Sequence, residues 1–242
     1  RETAPQPRGH GGLQVSRYYI VIDTEAASET GKCNPSRSLV YDIGYHVVEA
    51  STGANVASRS IAVMDTFHKT RLMRTAYYAC KLPQYYEGMR DGTWECMTFA
   101  EAHETWCDDV ARYGVRDVWA WNVDYDRRAL GHTIGTYSGG LLREWDASVN
   151  YLDVQSVAAR TLLATAKYRA WCDANNVHTP SGYPPTTAEA AYKYLTGRME
   201  FEECHTALED ATIEASMLRR LMRCKRGTYK WGAKHGLMAP RR

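Results

Sequence analysis

The chain has 242 residues, of which 44% are hydrophobic and 24% are charged, and its formal net charge is +2. This length predicts one globular α/β domain with elaborations, large enough to bury a sizeable core. It contains no apolar run long enough for a membrane-spanning helix, so we expect no membrane partner. The small net charge says little about partners, because the distribution of charge matters more than its sum.

The cysteines and the two ends of the chain bear on its organisation. Seven cysteines occur singly, without a C-x-x-C pair, which is typical of reduced thiols and predicts a cytoplasmic location. Residues 1–16 are rich in glycine, proline and glutamine, and we expect a disordered N-terminal segment there. The folded domain is expected over 17–226, with a basic C-terminal tail at 227–242.

The first half of the chain predicts strands followed by a helix. β-Rich apolar runs predict three strands, at 17–24, 39–50 and 56–64. The first would deliver Asp23 at its end, and residues 51–55 read as a hairpin turn between the other two. Thr98 and Glu101 form a capping-box pattern, which predicts a helix as far as Tyr113 that ends at Gly114.

The second half alternates short strands and helices. The predicted strands lie at 118–121 and 151–154. Helices are predicted to begin at Asp124, to span 156–168, to follow the cap at Thr186–Glu189, and to run from 206 to 225. This order predicts a mixed β-sheet with helices packed on it.

Acidic residues recur in three short blocks that are far apart in the chain. The blocks hold Asp23 and Glu25, then Asp124 and Asp126, then His205 and Asp210. Carboxylates that converge repel one another and normally gather around cations, and oxygen ligands select hard ions such as Mg²⁺ or Mn²⁺. Paired hard cations beside one histidine are the parts of a two-metal phosphodiester hydrolase.

The third block constrains its own geometry. His205 and Asp210 are five residues apart, which would place them roughly 140° apart on one helix. They can converge only if His205 precedes the helix and Asp210 lies in its first turns. A histidine on a loop beside a metal ligand suits a general base, because imidazole accepts and releases protons near neutral pH.

The second block offers two acids. We expect Asp126 to be the metal ligand, since Tyr125 precedes it and Leu130 follows it about one turn later. Asp124 is expected to cap the helix instead, and Asn122 to brace the preceding turn near the substrate.

Together the three blocks resemble the DEDDh exonucleases of the ribonuclease H-like superfamily, the group of the polymerase III proofreading subunit, ribonuclease T and oligoribonuclease. The first motif of that family, D-x-E, matches Asp23 to Glu25, and an N-x-x-[FY]-D type motif matches Asn122 to Asp126. The third motif, H-x-x-x-x-D, matches His205 to Asp210. The resemblance covers about 18–223 and implies a ribonuclease H-like mixed β-sheet flanked by α-helices.

The resemblance also implies an activity and a set of roles. The implied reaction is 3′-to-5′ hydrolysis of single-stranded RNA or DNA to nucleoside 5′-monophosphates. By analogy, Asp23 would bridge two Mg²⁺ (or Mn²⁺) ions about 4 Å apart, and His205 would act as general base. The other protein ligands would be Glu25, Asp126 and Asp210, while Thr24, Ala26 and Ala27 would lie near the terminal nucleotide. Because many members are dimers, a homodimer is an implied assembly state.

The segment 67–97 is long, basic and tyrosine-rich. Its cations Lys69, Arg71 and Arg74 are interleaved with rings, which suits binding of a strand through phosphate contacts and base stacking. The alternative is a surface insertion whose tyrosines pack locally.

Two further alternatives stay open. One is a non-catalytic nucleic-acid-binding module on the same fold, although a binding protein has no need of clustered carboxylates. The other is a proofreading subunit associated with a polymerase, which would need an exposed apolar docking surface. The sequence does not decide between RNA and DNA.

Overall fold

The structure is a computed structural model that describes residues 17–29, 34–139 and 148–224, with side chains up to Met222. The predicted N-terminal segment 1–16 and the basic tail 227–242 lie outside these residues. Within them, no helix is long and apolar enough to cross a membrane. The five cysteines whose side chains are described are free thiols.

A six-stranded mixed sheet forms the centre of the described chain, in the order β4-β3-β2-β1-β5-β6. The strands are β1 Tyr18–Ala27, β2 Leu39–Glu49, β3 Asn55–Val63, β4 Glu95–Met97, β5 Asp117–Ala120 and β6 Asn150–Asp153. The pairs β1–β2 and β2–β3 are antiparallel, and the other three pairs are parallel. The mixed sheet predicted from the order of the elements is therefore confirmed.

Helices cover both faces of this sheet. Their bounds are α1 Met64–Phe67, α2 Thr70–Met73, α3 Leu82–Asp91, α4 Phe99–Tyr113, α5 Val123–Ser138, α6 Val154–Thr161, α7 Ala166–Asn175, α8 Ala188–Thr196 and α9 Ala207–Cys224. Short 3-10 helices occupy Pro35–Arg37 and Ala79–Lys81. Helices α4 and α5 contribute to one hydrophobic core, around Trp106 and Leu130, and α6 to α9 contribute to a second, around Tyr168 and Leu218.

Helix α4 follows its sequence signals closely. Thr98 accepts a hydrogen bond from the backbone N–H of Glu101, and the Glu101 carboxylate accepts one from the Thr98 N–H at 2.8 Å. Gly114 ends the helix in the left-handed region. The predicted capping box and helix end are both confirmed.

Two sequence predictions of secondary structure were wrong. The single helix expected over 156–168 is two helices, because the Thr165 hydroxyl caps a new one by accepting from Tyr168 N–H. The first strand does not end at Thr24 but continues to Ala27, since β2 pairs with it along its whole length. Asp23 therefore lies inside the strand.

The segment 67–97 contributes a strand that sequence analysis did not find. Strand β4 pairs in parallel with β3 through only three residues, which is too short for a visible alternation of apolar and polar side chains. Between β3 and β4 the chain forms a small third core around Phe67, Tyr85 and Trp94.

Candidate active site

The predicted site lies near the middle of the sheet, where the pairing between β1 and β5 ends. Strand β1 pairs with β5 only at Ile20 and Val21, and β5 ends at Ala120. The remainder of β1 extends beyond β5, so Asp23 and Glu25 line a crevice at the carboxyl end of two parallel strands. Ligands of α/β sheets commonly bind at this kind of position.

The pleat of β1 directs Asp23 and Glu25 to one face. Residues two apart in a strand point to the same side, and the register places Asp23 opposite Gly44 and Glu25 opposite Asp42. A β-bulge follows directly between Glu25 and Ala26. The extra residue, Tyr41, lies on β2, so the pairing of the two strands shifts immediately after the two acids.

Gly44 allows α9 to approach that face. A Cβ at Gly44 would lie 2.0 Å from the backbone nitrogen of Leu208, so a side chain there would overlap the first turn of the helix. Asp42 fixes the same turn, since its Oδ2 accepts the N–H of Ala207 at 2.9 Å. Strand β2 thus sets the position of α9 and of the Asp210 it carries.

His205 lies before α9, as the spacing of the third block required. Its backbone is left-handed, with φ of 51°, and the helix begins two residues later. The turn points the imidazole back toward the helix, where Nδ1 is 4.0 Å from Oδ2 of Asp210 and 3.9 Å from Oε2 of Glu203.

Glu25, His205 and Asp210 form a compact group of side chains. One ligand atom from each of the three residues lies within 4.8 Å of the others. Oδ1 of Asp210 is buried and makes no hydrogen bond within the described chain. A buried carboxylate oxygen without a donor is costly, and a bound cation would satisfy it.

Asp126 reaches the crevice from the first turns of α5. It is 4% exposed, and its Oδ1 accepts a hydrogen bond from the Thr24 hydroxyl at 2.7 Å. This bond joins the first and second sequence blocks directly. The Thr24 side chain is therefore engaged with Asp126, and its predicted role beside a nucleotide stays a prediction.

Asp124 does not cap α5, so that prediction was wrong. The N-cap position is Asn122, whose backbone is left-handed and whose side chain makes no cap bond. Asp124 is exposed and forms surface ion pairs with Arg127 and Arg128, at 3.5 and 3.3 Å. The turn is braced through the Asn122 backbone, whose N–H donates to Asp153.

Burial, and then repulsion between carboxylates, disfavour negative charge in the crevice. Burial, and then the carboxylates of Asp126, Glu214, Glu25 and Asp210, raise the pKa of Asp23 well above its usual range. Burial is also the main cause that raises the pKa of Asp126 and that of Asp210 to about 7. Without cations, the cluster would hold protons near neutral pH, and bound cations would displace them.

Two buried acids of the site were missed from sequence. Glu214 lies one turn after Asp210 on α9, is 3% exposed, and accepts the N–H of Trp121 at 2.9 Å. Asp42 is fully buried in β2. Each interrupts an apolar face, of α9 and of β2 respectively, and that interruption was the only sequence signal for them.

The segment 67–97 folds over the site. The ring of Tyr78 stacks on the imidazole of His205, with centroids 4.1 Å apart and planes 13° apart. Burial and the nearby Lys81 ammonium lower the pKa of His205, while Glu189 opposes them. The same ammonium lowers the pKa of Glu25 and of Asp210, which burial and neighbouring acids raise.

A basic cavity of about 1020 Å³ adjoins the end of β1. Ala27 and Ser28 line it, two and three residues after Glu25. Its charged and titratable lining residues are Glu29, Arg37, His68, Lys69, Arg71 and His132. Of the three cations singled out from sequence, Lys69 and Arg71 therefore border one cavity, whereas Arg74 is exposed and is not among its lining residues.

Solved structures share this architecture. A 3′-exonuclease in a structure of 3′-end specific recognition of a histone mRNA stem-loop is 11% identical, with a TM-score of 0.60 over 87% of this chain. The nuclease domain of 3′hExo, a DEDDh family member bound to rAMP, is 10% identical, with a TM-score of 0.50 over 87% of this chain. E. coli Exonuclease I in complex with a 5cy-dT13 oligonucleotide is 10% identical, with a TM-score of 0.58 over 91% of this chain.

The chain has the fold of the DEDDh 3′-exonucleases. This DEDDh fold confirms the ribonuclease H-like mixed sheet with flanking helices that the sequence motifs implied. The chain spans 94% of the 3′hExo nuclease domain, 65% of the 3′-exonuclease with the stem-loop, and 43% of Exonuclease I. No protein-family model matches the sequence, and no curated protein matches it significantly.

Proposed function

We propose that the protein is a metal-dependent 3′-to-5′ exonuclease that hydrolyses single-stranded RNA or DNA to nucleoside 5′-monophosphates. The observation that carries this proposal is the convergence of three distant sequence blocks in one crevice of a DEDDh fold. Side-chain atoms of Glu25, His205 and Asp210 lie within 4.8 Å of one another, and Thr24 links Asp126 to the same strand. The intact carboxylate set argues against a module that only binds nucleic acid.

The residues of the crevice fit divalent cations. Asp23, Glu25, Asp126 and Asp210 would hold two Mg²⁺ or Mn²⁺ ions, since hard cations prefer carboxylate oxygens. The unpartnered Oδ1 of Asp210 supports such a ligand role. A similar solved structure is the zinc ion bound form of an E. coli ExoI–ssDNA complex. Bound cations would neutralise charge that develops on the attacking and leaving oxygens.

His205 is proposed to take the proton of the attacking water. Its lowered pKa keeps the imidazole neutral, and therefore able to accept a proton, at neutral pH. Its place on a turn outside α9 lets the ring face the crevice without belonging to the rigid helix.

The basic cavity is proposed to receive the strand that leads to the 3′ end. Its Arg37, Lys69 and Arg71 offer positive charge to phosphates, and its wall at Ala27 continues the strand that carries the acids. Ala26 and Ala27 would contact the terminal nucleotide through their backbone. Asn122 is exposed between the end of β5 and the start of α5, and it would also contact the strand.

The experiment that tests this function is a time course on matched RNA and DNA oligomers labelled at the 5′ end. With Mg²⁺ or Mn²⁺ we expect a ladder that shortens from the 3′ end, and with EDTA no shortening. Asp210→Ala should lower the rate by about 10³-fold or more, because it removes ligand oxygens that help neutralise the transition state. The faster oligomer would identify the substrate class.

The fold of the variant is the control for this experiment. Burial, and then the neighbouring Glu203, disfavour the charged form of Asp210, so its removal should leave the melting temperature in EDTA unchanged or raised. Strand binding without cleavage in any metal would reject the exonuclease and favour the binding module. Rapid hydrolysis by Asp210→Ala would remove Asp210 from the metal site.

The basic cavity gives a second prediction. Lys69→Gln and Arg71→Gln should weaken binding of a single strand, because each removes a cation that would neutralise a phosphate. The slope of log affinity against log salt should fall by about 0.7 for each phosphate that is no longer neutralised. Binding is measured by fluorescence anisotropy between low and moderate salt, in EDTA so that the strand stays intact.

Arg112→Gln is the matched control for charge. Arg112 is exposed at the end of α4 and is not among the residues that line the basic cavity. Its removal should change affinity little and leave the salt slope as it is. If the cavity variants behave like Arg112→Gln, the strand does not pass through the cavity.

A further inference from the structure

The face-to-face contact between Tyr78 and His205 joins the segment 67–97 to the catalytic histidine proposed above. The two rings are nearly parallel, with planes 13° apart and centroids 4.1 Å apart. The sequence had suggested that the tyrosines of this segment stack on nucleobases. In the structure, the imidazole already covers one face of Tyr78.

His205 has little else to orient its ring. Within residues 17–29, 34–139 and 148–222, its nearest acidic oxygens lie 3.9 and 4.0 Å from Nδ1, beyond hydrogen-bonding distance. Its backbone lies in the left-handed region, outside the helix that holds Asp210. A general base normally needs a second group to fix its orientation, and the Tyr78 ring stacks directly on the imidazole.

Tyr78 is partly buried and makes further contacts of its own. Tyr77 packs edge-on against its ring at 4.8 Å, and Nζ of Lys81 lies over the ring at 5.9 Å. The 3-10 helix after Tyr78 leads directly into α3, where the hydroxyl of Tyr85 donates to Asp42 at 2.7 Å.

Asp42 connects this segment to α9. The Oδ2 atom that accepts from Tyr85 also accepts the N–H of Ala207, two residues after His205. The segment is therefore linked to the His205 turn in two ways: the Tyr78 ring contacts His205, and Tyr85 shares the carboxylate of Asp42 with the N–H of Ala207.

We propose that Tyr78 is a positioning residue, whose ring holds the imidazole of His205 in the orientation needed to accept a proton. The proposal rests on the proposed function of His205 as general base. This role differs from stacking on a nucleobase. The face of Tyr78 that contacts His205 is already covered, so a base of the substrate cannot stack on that face.

The kinetic test compares Tyr78→Ala with Tyr78→Phe. Phenylalanine keeps the ring and alanine removes it, so Tyr78→Ala should lower kcat about 10- to 100-fold, while Tyr78→Phe restores most of the loss. KM for the oligomer should change little in both variants. A raised KM with unchanged kcat would show substrate stacking and overturn the proposal.

Tyr86→Ala is the matched control. Tyr86 belongs to the same segment, is 47% exposed, and packs against Phe67 instead of His205. It should leave kcat near the wild-type value. An equal loss of kcat in Tyr86→Ala would mean that the segment acts only through its general stability.

A double-mutant cycle asks whether Tyr78 acts through His205. Under single-turnover conditions with excess enzyme, Tyr78→Ala should have no further effect on the cleavage rate once His205 is alanine. If the two substitutions lower the cleavage rate by independent factors, so that the double variant shows their product, the proposal is contradicted.

An NMR measurement tests the stack without any activity. The ring protons of His205 should be shifted upfield by the Tyr78 ring, should lose that shift in Tyr78→Ala, and should keep it in Tyr78→Phe. Shifts that do not respond to Tyr78→Ala would overturn the stack itself. A stack that is present in a protein without nuclease activity would reject the proposed function and, with it, the positioning role.

Discussion

Asp126→Asn is expected to lower the rate of the proposed hydrolysis by about 10³-fold or more, because it replaces the charged oxygen of a proposed metal ligand by a neutral amide in the crevice. The fold should remain intact. The amide oxygen of asparagine can still accept the hydrogen bond that the Thr24 hydroxyl donates to Asp126. Burial disfavours the charged form of Asp126, so the variant in EDTA should melt at the wild-type temperature or above it. Single-turnover cleavage with Mg²⁺ and thermal melts in EDTA measure the two effects.

Asp124→Asn provides a closely matched control on the same helix. Asp124 lies two residues earlier, but its side chain is 59% exposed and pairs only with surface arginines. Removal of these pairs should cost at most about 1 kcal/mol of stability and leave cleavage near the wild-type rate. The reverse ranking of the two variants would mean that Asp124 is the ligand.

Gly44→Ala is expected to disrupt the site from the opposite strand. The new Cβ would overlap the backbone of Ala207 and Leu208, at distances of 2.0 to 2.4 Å, and backbone in a helix cannot move aside like a flexible side chain. Helix α9 must shift, and Asp210 and His205 with it. We expect a loss of about 3 kcal/mol or more in the free energy of unfolding, together with loss of nuclease activity.

Gly131→Ala is the control for this substitution. Gly131 lies within α5, where a Cβ would meet no atom within 4 Å, so alanine should stabilise the helix by about 0.5–1 kcal/mol. Urea titrations compare both variants with the wild type. A stable and active Gly44→Ala would show that α9 is not seated on β2 at this point.

Much of the fold and of the site could be predicted from local sequence. Short-range signals placed the β2–β3 hairpin, the capping box of α4 and the start of α9, because turn and cap chemistry act over a few residues. The five-residue spacing of His205 and Asp210 required a histidine outside the helix, and the structure places it there. The sequence also separated Asp126, which is buried in the crevice, from Asp124, which is exposed, although the predicted helix cap at Asp124 was wrong.

Other features depend on contacts between distant segments. Asp42 looked like an ordinary polar interruption in a strand until the side chains of Tyr85 and Trp94 and the N–H of Ala207 were found to converge on it. Glu214 likewise gains its meaning from the backbone N–H of Trp121, 93 residues away in sequence. No local propensity encodes such partners.

The sequence alone indicated five of the groups that meet in the crevice, four carboxylates and one histidine, in an order typical of one exonuclease class. It could do so because ligand type and spacing are local properties of the chain. Only the tertiary structure decided which groups surround them. Close packing of α9 on Gly44 and closure of 67–97 over His205 bring together residues far apart in sequence, and pairings of that kind depend on the whole fold.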